Sequence, residues 1–172
     1  MLNPDDGDEL WTPLIENTTK INTDAAVYES SNRYTYAFAV RNHKGELLEA
    51  RSSCKEGSTT PECAKAMGIR EALSWIKGRQ MHRVVVETDC LVVAQAIRGS
   101  APMSSYFGVI VQECRNLLME VKDKGVVLKF VKRSVNSLAH AFVSCSYSVA
   151  DRIWKANDVS LEIVHILEYD LN

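Results

Sequence analysis

Residues 82–99, HRVVVETDCLVVAQAIRG, contain the pattern that decides the fold. The three consecutive valines form a continuous apolar run, which is typical of a strand buried on both faces in a parallel sheet covered by helices. In the segment that follows, apolar residues recur at helical spacing, and Gly99 is predicted to end that helix. A buried strand that leads directly into a helix indicates an α/β domain, and Asp89 lies where the two elements meet.

The segments before and after this stretch predict the rest of the domain. Three segments rich in aromatic and β-branched residues are separated by turn residues, which favours an antiparallel meander over 20–28, 33–42 and 46–53. A helix follows, with Thr60 as its N-cap and Pro61 at its first position. The remaining elements are predicted as a helix over 106–125, a strand over 126–133 and a last helix over 136–154. Together these elements predict an α/β fold with a mixed five-stranded sheet flanked by helices.

The composition indicates one globular domain. The chain has 172 residues, 46% apolar and 24% charged, which is long enough and apolar enough to bury a full core. Residues 1–17 are predicted to form an N-terminal arm, residues 18–150 the domain, and residues 151–172 a C-terminal segment docked on it. The net charge is −2, whereas a dedicated duplex binder usually has a basic balance, so any contact with nucleic acid is expected to be local.

The sequence also predicts where the protein is found. No apolar run approaches the ~20 residues that span a bilayer, so no membrane association is expected. The first residues are acidic and lack a cationic start followed by an apolar stretch, so no secretory signal is expected. The five cysteines are scattered and include no CxxC motif, which disfavours a zinc site or a disulfide framework. We therefore expect the cytoplasm or the nucleus.

Several segments, in a fixed order along the chain, resemble a known family. These segments are W-x-P at 11–13, KINTDAA at 20–26, VRNHKG at 40–45, IREAL at 69–73, VVVETDCLVVAQAI at 84–97, VLKFVKRSVNSLAHAF at 127–142 and the ending W…ILEYDL. Through them the chain resembles the plant ribonuclease H-like domain, which is related to the ribonuclease H module of non-LTR retroelement polyproteins. The resemblance implies the ribonuclease H fold.

The resemblance also implies a catalytic site for RNA–DNA hybrids. In this family, carboxylates hold two Mg²⁺ ions, which activate water and stabilise the leaving oxygen. Of the four ligand positions, the first falls on Asp24 and the third on Asp89, so these two residues are the expected metal ligands if any metal binds. The fourth falls on His140, where plant members often carry histidine. A lone histidine on a helix is, alternatively, an ordinary surface residue.

The second ligand position, a glutamate in the family, is occupied by Lys65. It lies five residues before the Arg of IREAL and shares a helix face with Ile69 and Ala72, so it is predicted to face the sheet. We expect its ammonium to lie between Asp24 and Asp89 in place of a metal. The alternative is a lysine that extends into solvent.

Glu62 is a candidate substitute ligand on the first helix. It lies one turn before Lys65 and is offset by about 60° around the helix and ~4.5 Å along it.

Basic residues near the fifth strand are candidates for nucleic-acid contact. Lys132 and Arg133 are predicted to reach phosphates, together with Asn136, which is also predicted to cap the last helix. The alternative interpretation of these charges is a solvated edge without a ligand.

Three functions follow from this site. The leading hypothesis is a degenerate ribonuclease H-like domain without a cofactor, impaired in catalysis, which binds nucleic acid or a protein partner. The first alternative is an active Mg²⁺-dependent hybrid endoribonuclease that uses Asp24, Asp89 and Glu62. The second alternative is a pure protein-interaction domain, which the mild acidity favours.

Overall fold

The computed structural model describes residues 15–147 and 150–171; the predicted arm over 1–17 therefore lies largely outside the described residues. Within the described residues, no helix is both long and apolar enough to cross a membrane. The elements, in chain order, are β1 (Thr19–Tyr28), β2 (Arg33–Arg41), β3 (Leu47–Glu56), α1 (Pro61–Lys77), β4 (Val84–Thr88), α2 (Leu91–Arg98), α3 (Tyr106–Glu120), β5 (Val127–Phe130), α4 (Ser137–Cys145), β6 (Arg152–Trp154) and α5 (Leu161–Leu171).

The strands form one mixed sheet in the order β5-β4-β1-β2-β3-β6. The meander β1–β2–β3 is antiparallel, whereas β4 runs parallel to both β1 and β5. Helix α1 packs on one face of the sheet and α4 on the other, so each face has its own apolar core. The predicted α/β fold with a mixed sheet is confirmed.

The sheet has six strands instead of the predicted five. The last predicted helix was too long: α4 ends at Cys145, and β6 pairs antiparallel with residues 50–52 of β3. Trp154 is buried against Phe142, with ring centroids 5.5 Å apart, and its Nε1 donates to Ser52 Oγ at 3.3 Å. A strand of three residues is too short for its apolar period to be told from that of a helix, so only the tertiary contact reveals it.

A chain of buried polar side chains links β4 to α5 through the centre of the sheet. Lys20 pairs with Glu87 at 2.9 Å, and Asn22 Nδ2 donates to the same carboxylate at 2.7 Å. Arg41 Nη2 donates to Asn22 Oδ1 at 2.8 Å, and Arg41 Nη1 donates to Asp170 of α5 at 2.7 Å. Because each buried charge has an opposite charge beside it, this network holds β1, β2 and β4 in one register and attaches α5 to the sheet.

All five cysteines are free thiols. Cys63 and Cys114 are buried, and the other three are half-buried. Burial raises the pKa of Cys114 to about 12, so this thiol is an inert part of the core.

Candidate functional site

Two carboxylates lie side by side where β1 and β4 leave their shared ladder. Thr23 of β1 is opposite Thr88, the last residue of β4, in the parallel pairing; Asp24 follows Thr23 within β1, and Asp89 follows directly after β4. In open α/β sheets, sites form beyond the carboxyl ends of parallel strands. The register of β1 against β4 therefore brings the first and third predicted ligand positions together.

Helix α1 passes close enough to β1 to bring Lys65 to these carboxylates. A side chain at Gly68 would place its Cβ 3.4 Å from the backbone oxygen of Asp24 and 3.5 Å from Tyr36 Cβ. Such distances are ordinary van der Waals contacts, so α1 passes within contact distance of β1 and β2 at this position. Lys65 lies three residues earlier and thus on the same side of the helix.

The Lys65 ammonium lies between the two carboxylates. Its Nζ donates to Asp24 Oδ1 at 2.8 Å and also to Asp89 Oδ1. The Lys65 side chain is 18% exposed, and both carboxylates are buried. Burial alone lowers the pKa of Lys65, but the charges and hydrogen bonds of Asp24 and Asp89 outweigh it, so the pKa is raised above its ordinary value. The ammonium therefore stays charged at neutral pH.

His140 completes this group from α4. Its Nδ1 lies 3.1 Å from Asp24 Oδ2, the carboxylate oxygen that Lys65 does not contact, and its side chain is nearly half exposed. The start of α4 is held on β1 by Asn136, whose Nδ2 donates to the Thr23 backbone oxygen at 2.9 Å. This bond places His140, one turn later, beside Asp24.

Asn136 thus has a different environment from the one predicted. It occupies the N-cap position of α4, but its side chain makes no capping hydrogen bond: Nδ2 donates to β1, and the buried Oδ1, the atom that would accept from the helix, has no hydrogen-bond partner among the described residues. It is also 1% exposed, so its amide is not at the surface where nucleic acid would reach it. Lys132 and Arg133, in contrast, are exposed in the loop after β5.

Glu62 lies outside this group of charges. It is exposed in the first turn of α1, so the structure brings together Lys65, Asp24, Asp89 and His140 but not the proposed substitute ligand. Within residues 15–147 and 150–171, no three His, Cys, Asp or Glu side chains are arranged to hold a metal ion.

The side chains at this site do not fit a pair of magnesium ions. Mg²⁺ takes hard oxygen ligands in near-octahedral geometry. Here one oxygen of each carboxylate accepts a hydrogen bond from Lys65, and the second oxygen of Asp24 lies beside His140. The position between the carboxylates is thus filled by a cation that belongs to the chain.

A second charged cluster, which the sequence did not predict, surrounds Glu49 of β3. Its carboxylate accepts hydrogen bonds from Arg51 Nε at 2.7 Å, Trp75 Nε1 at 2.9 Å and Lys155 Nζ at 2.5 Å, and Arg79 lies at 3.5 Å. Burial raises the pKa of Glu49, but these donors outweigh it and lower the pKa to about 2. Lys155 is 106 residues from Glu49 in sequence, so no local pattern signals this contact.

The sequence matches a known family model. The model, described as reverse transcriptase-like, matches residues 22–146, which include both carboxylates, Lys65 and His140. No curated protein matches the sequence.

Solved structures of low sequence identity have the same fold. Ribonuclease H1 of the archaeon Halobacterium salinarum superposes with a TM-score of 0.62 at 15% identity, over 72% of this chain and 92% of the other. The N-terminal ribonuclease H domain of a Mycobacterium tuberculosis protein superposes with a TM-score of 0.63 at 15% identity, over 76% of this chain and 94% of the other. A ribonuclease H1 isolated from compost, solved in complex with an RNA/DNA hybrid, superposes with a TM-score of 0.60 at 16% identity, over 73% of this chain and 94% of the other.

Proposed function

The chain belongs to the reverse transcriptase-like family, and from that premise we propose that it is a degenerate ribonuclease H-like domain that binds nucleic acid without cleaving it. One observation carries this proposal: the Lys65 ammonium is hydrogen-bonded to both Asp24 and Asp89. The family resemblance puts a ligand glutamate at the position of Lys65. A cation fixed by the chain therefore stands where a divalent ion would have to enter.

The electrostatic cost of adding a metal supports the loss of catalysis. Two like unit charges ~4 Å apart repel by about 4 kcal/mol at an effective dielectric of ~20, and a divalent ion beside the ammonium would meet roughly twice that. The second carboxylate oxygen of Asp24 is also taken up by His140. Metal binding would thus require Lys65 to leave two buried carboxylates.

Nucleic-acid binding is supported by the fold and by local charge. The compost ribonuclease H1, which has the same fold, was solved with a bound RNA/DNA hybrid. Lys132 and Arg133 are exposed cations that can meet phosphates, although the whole chain has a net charge of −2. We place the protein in the cytoplasm or nucleus, where its five free thiols would stay reduced.

The loss of cleavage is tested with a labelled RNA–DNA hybrid, purified protein and either Mg²⁺ or Mn²⁺. We expect no specific cleavage by the wild-type chain. Cleavage that disappears in the Asp24→Asn variant would overturn the proposal, and its loss in Glu62→Gln would identify the active alternative with an altered carboxylate set.

Nucleic-acid binding is tested separately, by anisotropy of the same hybrid at several salt concentrations. The proposal predicts binding that weakens steeply as salt rises, because phosphate contacts release counterions. A chain that fails to bind hybrid even at low salt would instead fit a protein-interaction domain with an unidentified partner.

A further inference from the structure

We propose that the cations Arg51, Arg79 and Lys155 around Glu49 form a second contact surface for the phosphates of a nucleic-acid strand. This inference rests on the proposed binding function and adds to it a surface at the opposite end of α1 from Lys65. Trp75, which contacts Glu49, lies ten residues after Lys65 in this helix, about 15 Å along its axis.

The cluster presents positive charge outward. The Glu49 side chain is 8% exposed, whereas Arg51 is 40%, Arg79 37% and Lys155 58% exposed. Because the pKa of Glu49 is lowered to about 2, its carboxylate carries one negative charge at any physiological pH. Three cations around one buried anion leave an excess of two positive charges at this surface, on a chain whose net charge is −2.

The carboxylate also holds the cations in place for a ligand. Arg51 faces Glu49 with Nε, and Arg79 faces it with one Nη nitrogen. A guanidinium has five N–H donors, so contact with Glu49 occupies only part of each group. The Arg79 guanidinium also lies 4.0 Å from the centre of the Trp75 ring, which fixes its plane. Side chains that are already ordered lose less entropy when a phosphate binds.

A surface cleft next to the cluster provides room for the rest of a nucleotide. It has a volume of about 330 Å³ and lies between α1, β3 and β6, with Arg51 at its boundary and Tyr36 and Phe38 on its floor. The acidic residues on its rim lie beside cations: Asp151 pairs with Lys55 at 2.8 Å, and Glu71 lies 3.6 Å from Arg70, which also pairs with Glu113 at 2.7 Å.

The remnant carboxylate site cannot attract phosphates by itself. Asp24 and Asp89 carry two negative charges against the single positive charge of Lys65. Electrostatic attraction to nucleic acid must therefore come from cations elsewhere on the surface, and the Glu49 cluster gathers three of them from different elements.

The test is the salt dependence of hybrid binding by the Arg79→Gln/Lys155→Gln double variant. Each lost phosphate contact lowers the slope of log affinity against log salt by about 1, so we expect a slope reduced by about 2. The matched control is Lys77→Gln, which removes an exposed cation of α1 that pairs with Glu120 at 2.6 Å, outside the cluster. Its slope should equal that of the wild type.

The outcomes separate this inference from the proposed function. If the wild-type chain does not bind hybrid, the proposed binding function is wrong. If the wild type binds and the folded double variant has an unchanged slope of log affinity against log salt, the binding function stands and the proposed second contact surface is wrong. Wild-type binding to poly-glutamate that is as tight as its binding to hybrid would overturn the nucleic-acid assignment in favour of an acidic protein partner.

A second measurement needs no variant. Bound hybrid should protect Lys155 from acetylation by an amine reagent, read by mass spectrometry, while Lys77 is modified as in the free protein. Equal modification of Lys155 with and without saturating hybrid would overturn the inference.

Discussion

At the scale of the residue, Lys65 is the side chain on which the site depends. Its removal leaves Asp24 and Asp89 as two buried carboxylates without a cation between them. Removing one partner of a buried ion pair costs about 3–5 kcal/mol. We predict a loss of that size in the free energy of unfolding of Lys65→Met near neutral pH, measured by urea denaturation. Lys77→Met, at an exposed pair on the same helix, should lose at most about 1 kcal/mol.

The stability that Lys65 contributes is expected to depend on pH. The pKa of Lys65 is raised in the folded state above its ordinary value of 10.5. Its stabilising contribution is therefore fully present below pH 10.5 and is lost as the pH rises through the higher folded value. We expect the difference in the free energy of unfolding between wild type and Lys65→Met to stay constant from neutral pH upward and to decrease only above the folded-state pKa of Lys65. A difference that already decreases near neutral pH would contradict the contact of Lys65 with Asp24 and Asp89.

The stability that Glu49 contributes is expected to depend on pH in the opposite direction, with its loss at acid pH. Its pKa is lowered from 4.5 to about 2 by Lys155, Arg51 and Trp75, which outweigh burial. Its contribution is thus present above pH 4.5 and is lost as the pH falls toward 2. We predict that Glu49→Gln is less stable than wild type near neutral pH and that the two unfolding midpoints converge near pH 2. A difference that persists unchanged at that pH would mean that the Glu49 charge has no role.

At the scale of the element, α5 is attached to the sheet by Arg41. The Arg41 side chain has no exposed surface, and burial lowers its pKa, although Asp170 opposes the shift. We predict that Asp170→Asn costs about 3–5 kcal/mol, because it removes the charge of the carboxylate that is hydrogen-bonded to a buried guanidinium. In this variant, backbone hydrogen exchange should accelerate more in α5 than in β1.

The control for α5 is an exposed ion pair of the same type. Glu56→Gln removes the carboxylate partner of Arg33, at 3.3 Å, where the carboxylate is largely in solvent. We expect this variant to lose at most about 1 kcal/mol. An equal loss in both variants would contradict the anchoring role of Asp170.

The elements also show which local signals predict structure. Thr60 and Pro61 mark the start of α1, and the valine run marks β4, because cap chemistry and continuous burial leave patterns within a few residues. The strand β6 left no such pattern. Its three residues gain their structure from pairing with β3 and from the burial of Trp154. The sequence therefore predicted that the last helix continues through these residues.

At the scale of the whole molecule, the two charged sites differed in how far they could be predicted. Asp24, Lys65 and Asp89 lie in segments that resemble the family, so the resemblance predicted their places on β1, on α1 and directly after β4. The cluster around Glu49 joins β3, the end of α1 and the chain after β6, and it depends on a strand that was not predicted. Ion pairs between residues distant in sequence carry no local signal, so the structure alone reveals that cluster.

Calorimetric titration of Mg²⁺ into the wild-type chain and the Lys65→Glu variant tests most directly whether the Lys65 ammonium excludes a metal. This ammonium is hydrogen-bonded to both Asp24 and Asp89. We therefore expect no saturable Mg²⁺ binding by the wild type and measurable binding by Lys65→Glu, because the exchange replaces a cation by a third carboxylate. Saturable binding by the wild type that disappears in Asp24→Asn would contradict the exclusion of metal by Lys65.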